Sequence, residues 1–274
     1  FSNLEKANFP IDFSLINEGF SIYAGRYYKS EVIYKMASKK LINTQNKMFS
    51  ISLPVYLEYN DEPVWLDRED TLEVIKWTLN DIYKDANNNI NNSKILSSYY
   101  SSLLDIEKFV NNKSIFSIKN NKEIRLQFAP NYSLDNEFVY LFDDHPKDFS
   151  REIIYNIKFN EYQEIKYGSI KQEIDILNAA NIIPGRVSQL SYAQKHPSMI
   201  RYLFPDLITQ YGWRFYALNT FIDLGYGDYK HKLLKLREEL IIIAMAIFES
   251  KFYSDKLTRD DVHDYFSKIA FIKN

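Results

Sequence analysis

The spacing of apolar positions changes twice along the chain. In "DREDTLEVIKWTLNDIYKDANNN", Leu72, Ile75, Trp77, Leu79 and Ile82 supply the buried side of a helix, with Asp67 as a suitable N-cap. Upstream, "DFSLINEGFSIYAGRYYKSEVIYKMASKKL" predicts one or two helices, with Gly19 and Gly25 permitting close packing. Downstream, an Asn-rich polar loop at 87–92 leads into a helix over 93–110. The pattern then shortens. "EIRLQFAP", "EFVYLFDD" and "REIIYNIKF" are short, β-branched and aromatic, and turn residues separate them, so a small antiparallel sheet is expected between 123 and 159. Helical spacing returns at Ser169, where Gln172 three residues on completes a capping box. Helices are expected over 173–181, 186–196, 200–224 and 229–253, and from a second capping box at Thr258–Asp261. The class is mainly α (α+β). One domain over 1–274 is expected, helical over 1–122, with the sheet at 123–159 and helices over 160–274.

One interruption stands out. The helix 173–181 runs into Ile-Pro-Gly-Arg at 183–186 and resumes at once. Pro184 has no N–H to donate and clashes with the preceding turn, so it breaks the helix. Both sides are apolar. Ile170, Ile174, Leu177 and Asn181 form one stripe, and Leu207, Tyr211, Phe215, Leu218 and Ile222 form another, which puts Tyr211 on the same inward face as Leu218. Met245, Glu249 and Tyr253 share a face of their own helix at i, i+4 and i+8.

Composition narrows the function. The chain has 274 residues and 46% hydrophobic content, enough for a sizeable core. Lys+Arg 34 against Asp+Glu 36 gives no electrostatic reason to expect a nucleic-acid partner, and no polybasic run points to a membrane surface. With no cysteine, disulfides, thiolate chemistry and Cys-based zinc sites are excluded. "ELIIIAMAIF" at 239–248 is too short and too closely flanked by charge to span a membrane, so no transmembrane segment is expected. The first residue is Phe, which implies processing or a start within a longer product.

Recognisable catalytic patterns are missing. His145, His196, His231 and His263 form no i, i+4 pair, and His-Glu-x-x-His does not occur. His145 and His196 precede prolines, whereas His231 and His263 lie beside charged residues and read as helix-surface positions. There is no Gly-x-Ser-x-Gly elbow, P-loop or dinucleotide fingerprint. "LGYGD" at 224–228 reads as a helix C-cap and turn, and "FDDH" at 142–145 as a solvated strand end.

The order of motifs after residue 160 resembles a bacterial zincin-like family, domain of unknown function 885, with lipoprotein and carboxypeptidase-like members. That family carries His-Glu-x-x-Pro-Gly-His-His-x-Gln, then Glu-Gly-Trp-x-x-Tyr-Ala-Glu and Leu-Gly-Tyr. A late helix holds Arg, Asp and His at four-residue intervals. Here Pro184, Gly185 and Gln189 match the first motif, Gly212, Trp213, Tyr216 and Ala217 the second, and Leu224, Gly225 and Tyr226 the third. Thr258 matches the final helix start. The resemblance implies a zincin-like helical fold, the C-terminal half of a protein about twice as long, and placement as a periplasmic or membrane-anchored lipoprotein.

The same alignment shows what has been replaced. The family's His and Glu fall on Ala180 and Asn181, and its two histidines after Pro-Gly on Arg186 and Val187. The Glu residues flanking the second motif fall on Tyr211 and Leu218, and the late Arg, Asp and His on Met245, Glu249 and Tyr253. Zinc hydrolysis needs nitrogen or carboxylate ligands and a base for metal-bound water. Alanine, valine, leucine and methionine supply none. The resemblance with its departures therefore implies a catalytically degenerate domain with no metal or other cofactor, a non-enzymatic binding or structural module for a protein or peptide partner. The alternative is a metallocarboxypeptidase-like hydrolase with an unrecognised or partner-completed site, and a third reading makes function depend on a missing N-terminal half. These nine residues are expected to line one vestigial pocket, with Arg186 neutralised by Glu249 or Asp175.

Overall fold

The computed structural model describes residues 18, 29–60, 68–86, 94–114, 124–129, 139–142, 153–157, 170–194, 198, 200, 206–252 and 259–271. Its helices are α1 (Ser30–Tyr59), α2 (Arg68–Ala86), α3 (Ile95–Lys113), α4 (Lys171–Asn181), α5 (Arg186–Gln194), α6 (Leu207–Asp223), α7 (Tyr229–Phe252) and α8 (Arg259–Ala270). Strands β1 (Ile124–Phe128), β2 (Val139–Phe142) and β3 (Ile153–Ile157) lie between α3 and α4 in sequence. The mainly helical class with one small sheet is what the spacing predicts.

The chain divides into two compact units, 1–50 with 236–274, and 51–235. In the first, Leu41, Met48, Leu240, Ala244 and Ile247 form the described core. Phe248 packs against Tyr265 and Phe266 of α8, with ring centroids 6.0 and 5.7 Å away. Lys40 pairs with Glu239 at 2.8 Å. Gln45 Nε2 donates to the Ile269 carbonyl at 3.4 Å, tying α1 to α8.

The second unit contains the sheet, whose order is β1-β3-β2. β2 pairs antiparallel with β3, Leu141 opposite Tyr155, as expected. β1 pairs parallel with β3, Leu126 opposite Tyr155, so the sheet is mixed and the expected all-antiparallel arrangement is corrected. The physical reason lies in β3. Ile153, Tyr155, Asn156 and Ile157 are all buried, the near-continuous burial of a central strand flanked on both sides. Alternation within a strand reports its faces but not its order in the sheet. The long 129–152 connection is what allows the parallel return.

Tyr155 also carries the sheet onto the helices, its ring 6.1 Å from that of Tyr99 on α3. Asp67, the Asn run at 87–92, Ser93, "FDDH" beyond Phe142, Ser169, His145, His196 and Thr258 lie outside the described residues. The N-cap of α4 is Ile170, with extended backbone and no side-chain cap.

Candidate functional site around the Pro-Gly break

Helix α4 is the centre of the second unit. Every residue from Glu173 to Asn181 is buried. A helix buried on all sides is normally apolar, yet this one carries Glu173, Asp175, Asn178 and Asn181. Each such group must find a partner or cost several kcal/mol, on the order of 2–7 for an unbonded polar group. Each does find one. Tyr83 donates its hydroxyl to Glu173. Asn178 Nδ2 donates to the Tyr99 carbonyl at 2.9 Å and to Ser102 Oγ at 3.0 Å, fastening α4 to α3. Asn181 Nδ2 donates back to the Leu177 carbonyl at 2.9 Å.

Asp175 meets a histidine. His231, near the start of α7, is only 6% exposed, which corrects the surface reading of that residue. Its Nε2 lies 3.1 Å from Asp175 Oδ2, and its Nδ1 lies 2.9 Å from Asp228 Oδ1. Lys171 Nζ is 3.3 Å from Asp175 Oδ2 and 3.8 Å from Asp105. Burial pushes the Asp175 carboxyl up, but hydrogen bonds from His231 and Ser102 and the Lys171 charge outweigh it and hold it below the ordinary value. Burial likewise disfavours the imidazolium of His231. The two carboxylates reverse that and raise its pKa. His263, by contrast, is half-buried on α8, 3.8 Å from Asp264.

The break itself is a packed turn. An added Cβ on Gly185 would fall 1.8 Å from the Ala180 carbonyl oxygen and 2.6 Å from that of Ala179, so only glycine lets the chain fold back onto the end of α4. The Ile183–Pro184 peptide is cis. Trp213 of α6 donates Nε1 to the carbonyls of Pro184 at 3.0 Å and Gly185 at 3.2 Å. Ser188 Oγ donates to the Ile182 carbonyl at 3.2 Å. Pro-Gly and Gly-Trp, two motifs far apart in sequence, are thus one structural joint.

The structure places the nine predicted site residues as follows. Ala180, Asn181, Val187 and Leu218 are buried, and Arg186 is half-buried at the start of α5. Tyr211 is 46% exposed and does not face inward with Leu218. The buried stripe of α6 runs through Gln210, Ala217, Leu218, Phe221 and Ile222, rotated by one position from the predicted one, which leaves Tyr211 on its edge. Met245 is 47% exposed and Glu249 is exposed, on the same side of α7. Tyr253 lies outside the described residues. Asp175, a predicted partner for Arg186, is engaged by His231 and Lys171. Sequence reasoning missed Glu173, Asp175 and His231 as buried. The available signal was that no charged residue occurs between Asp175 and Arg186.

The chemistry of the donor set at the break does not fit a zinc ion. Ala180, Val187 and Leu218 offer no ligand atom, and the Asn181 amide nitrogen is spent within its own helix. Among the described residues, no three His, Asp or Glu side chains form a group that could hold a metal ion. No helix among them is long and apolar enough to cross a membrane.

Solved structures share this fold. A "putative lipoprotein of unknown function" from Shewanella oneidensis superposes with a TM-score of 0.77 at 18% identity, over 95% of this chain and 47% of its own. A "putative lipoprotein" from Colwellia psychrerythraea superposes with a TM-score of 0.72 at 14% identity, over 93% of this chain and 42% of its own. The chain thus spans about half the length of these relatives. No curated protein matches. The family model described as "Bacterial protein of unknown function (DUF885)" matches residues 22–274, and the chain belongs to that family.

Proposed function

We propose that this domain is a catalytically degenerate, zincin-like member of its family, a non-enzymatic binding or structural module. The observation that carries the reading is the fate of Ala180, Val187 and Leu218. The family motif would set two histidines and a glutamate at these positions. Here they are fully packed apolar side chains, and the groups retained around them, Pro184, Gly185 and Trp213, hold the helices together. Tyr211, Met245, Glu249 and Tyr253 belong to the same set of replaced positions. The conversion removes both the ligands and the base that metal-assisted hydrolysis requires.

The names of the two solved relatives support placement as a periplasmic or membrane-anchored lipoprotein. Coverage of about half their length supports a role as one half of a larger fold. The test is hydrolysis of carboxypeptidase and general peptidase substrates by purified protein, with and without added zinc. No turnover is expected in either case. Chelator-sensitive hydrolysis that tracks added zinc would establish the metallocarboxypeptidase-like alternative instead.

A further inference from the structure

We infer that His231 is a proton-operated latch that fastens the α6–α7 turn to α4. It is closed while both ring nitrogens carry protons and slackens when Nδ1 loses its own. The geometry at Nδ1 poses the choice. Asp228 Oδ1 lies 2.9 Å away and the Asp228 backbone N–H lies 3.2 Å away. A protonated Nδ1 donates to the carboxylate. A bare Nδ1 faces that carboxylate lone pair to lone pair, and only the backbone N–H satisfies it. Nε2 keeps its proton in both states and donates to Asp175. One proton therefore decides whether Asp228 is held by its side chain or its backbone.

The surroundings favour the closed state. From α4, Asp175 and Lys171 face the ring or its partner. From α3, Asp105 faces Lys171. From the turn come Asp228 and Tyr226, whose ring stands edge-on to the imidazole at 5.7 Å. The turn backbone also senses the ring directly. Gly227 has a φ of +74°, and a Cβ there would lie 2.4 Å from His231 Cγ and Nδ1. Asp228 Oδ1 in addition accepts from the backbone N–H groups of Lys230 and His231, so the same carboxylate starts α7.

The raised pKa of His231 fixes the sign on the alkaline side. Its contribution is fully present below its ordinary value of 6.5 and is lost as pH rises through the higher folded value. The depressed carboxyls of Asp175 and Asp228 contribute above 3.8 and lose that contribution as pH falls through their lower folded values. The latch is closed between these limits.

Two measurements on the whole chain test this. Nitrogen-detected NMR of the His231 ring should show two protonated nitrogens in mild acid, a titration above 6.5, and then an Nε2–H tautomer. Protection of the 224–228 amides from hydrogen exchange, followed through that titration, should fall by up to about tenfold per pH unit more in wild type than in His231→Gln. A ring that titrates at or below its ordinary value, or that keeps one proton throughout, overturns the latch. So does an equal pH slope of protection in wild type and variant. If the variant fails to fold, the wild-type ring spectrum alone decides.

Discussion

Replacing Gly185 by alanine should unseat the joint between α4, α5 and α6, and the size of the effect follows from three distances. The new Cβ would lie 1.8 Å from the Ala180 oxygen, 2.3 Å from the Ala180 carbonyl carbon and 2.6 Å from the Ala179 oxygen. All three atoms are backbone in a buried helix, so no side chain can swing aside. Overpacking of this kind costs about 1–3 kcal/mol even where side chains adjust. Moving Gly185 away from α4 also shifts the carbonyls that Trp213 binds, and losing that bond adds about 1 kcal/mol. The expected loss is therefore about 2–4 kcal/mol. Gly212, in the related motif, is the control. Nothing lies within 4 Å of a Cβ there and the site is helical, so alanine should stabilise by about 0.4–1 kcal/mol. Urea denaturation followed by tryptophan fluorescence is the assay, because Trp65, Trp77 and Trp213 all fall in the 51–235 unit. A midpoint for Gly185→Ala matching wild type, or equal losses at both glycines, would refute the packing account of the break.

Other substitutions probe the same framework. Trp213→Phe should cost about 1 kcal/mol in urea melts by removing the Nε1 donor, and a neutral result would mean the indole bond to Pro184 and Gly185 is idle. Asn178→Ala should cost about 2–3 kcal/mol, since it strips the Tyr99 carbonyl and Ser102 of a buried donor; a loss below about 0.5 kcal/mol would contradict the α3–α4 tie. Asp175→Asn should bring the His231 pKa down toward its ordinary value by deleting one of the two carboxylates that raise it, read by the ring titration; an unmoved titration would assign the shift elsewhere.

Much of this was legible in the sequence because local signals suffice for local structure. The stripe of α2, the helix α3, the cap and turn at 224–228, and the Pro-Gly break each rest on residues close together in the chain. Gly225 indeed takes a positive φ just after α6. Strand order did not follow from local signals, since parallel pairing of β1 with β3 is decided by a connection between them and not by either strand. His231 was misread for a related reason. Its neighbours Lys230 and Lys232 mark a polar stretch, but burial depends on Asp175, which is distant in sequence and carries the charge that makes a buried imidazolium tolerable. Tyr211 fell on the wrong side because a stripe's centre can shift by one residue and still look periodic. That Ala180 and Val187 carry no ligand atom needs only residue identity, and so it could be read from the sequence.

The most direct test of the degenerate-site account is the zinc content of the chain purified from zinc-supplemented culture without affinity metals, measured by elemental mass spectrometry against protein concentration. The account predicts far less than one zinc per chain, because apolar side chains stand at Ala180, Val187 and Leu218. One zinc per chain, retained through dialysis and removed only by strong chelation, would contradict it.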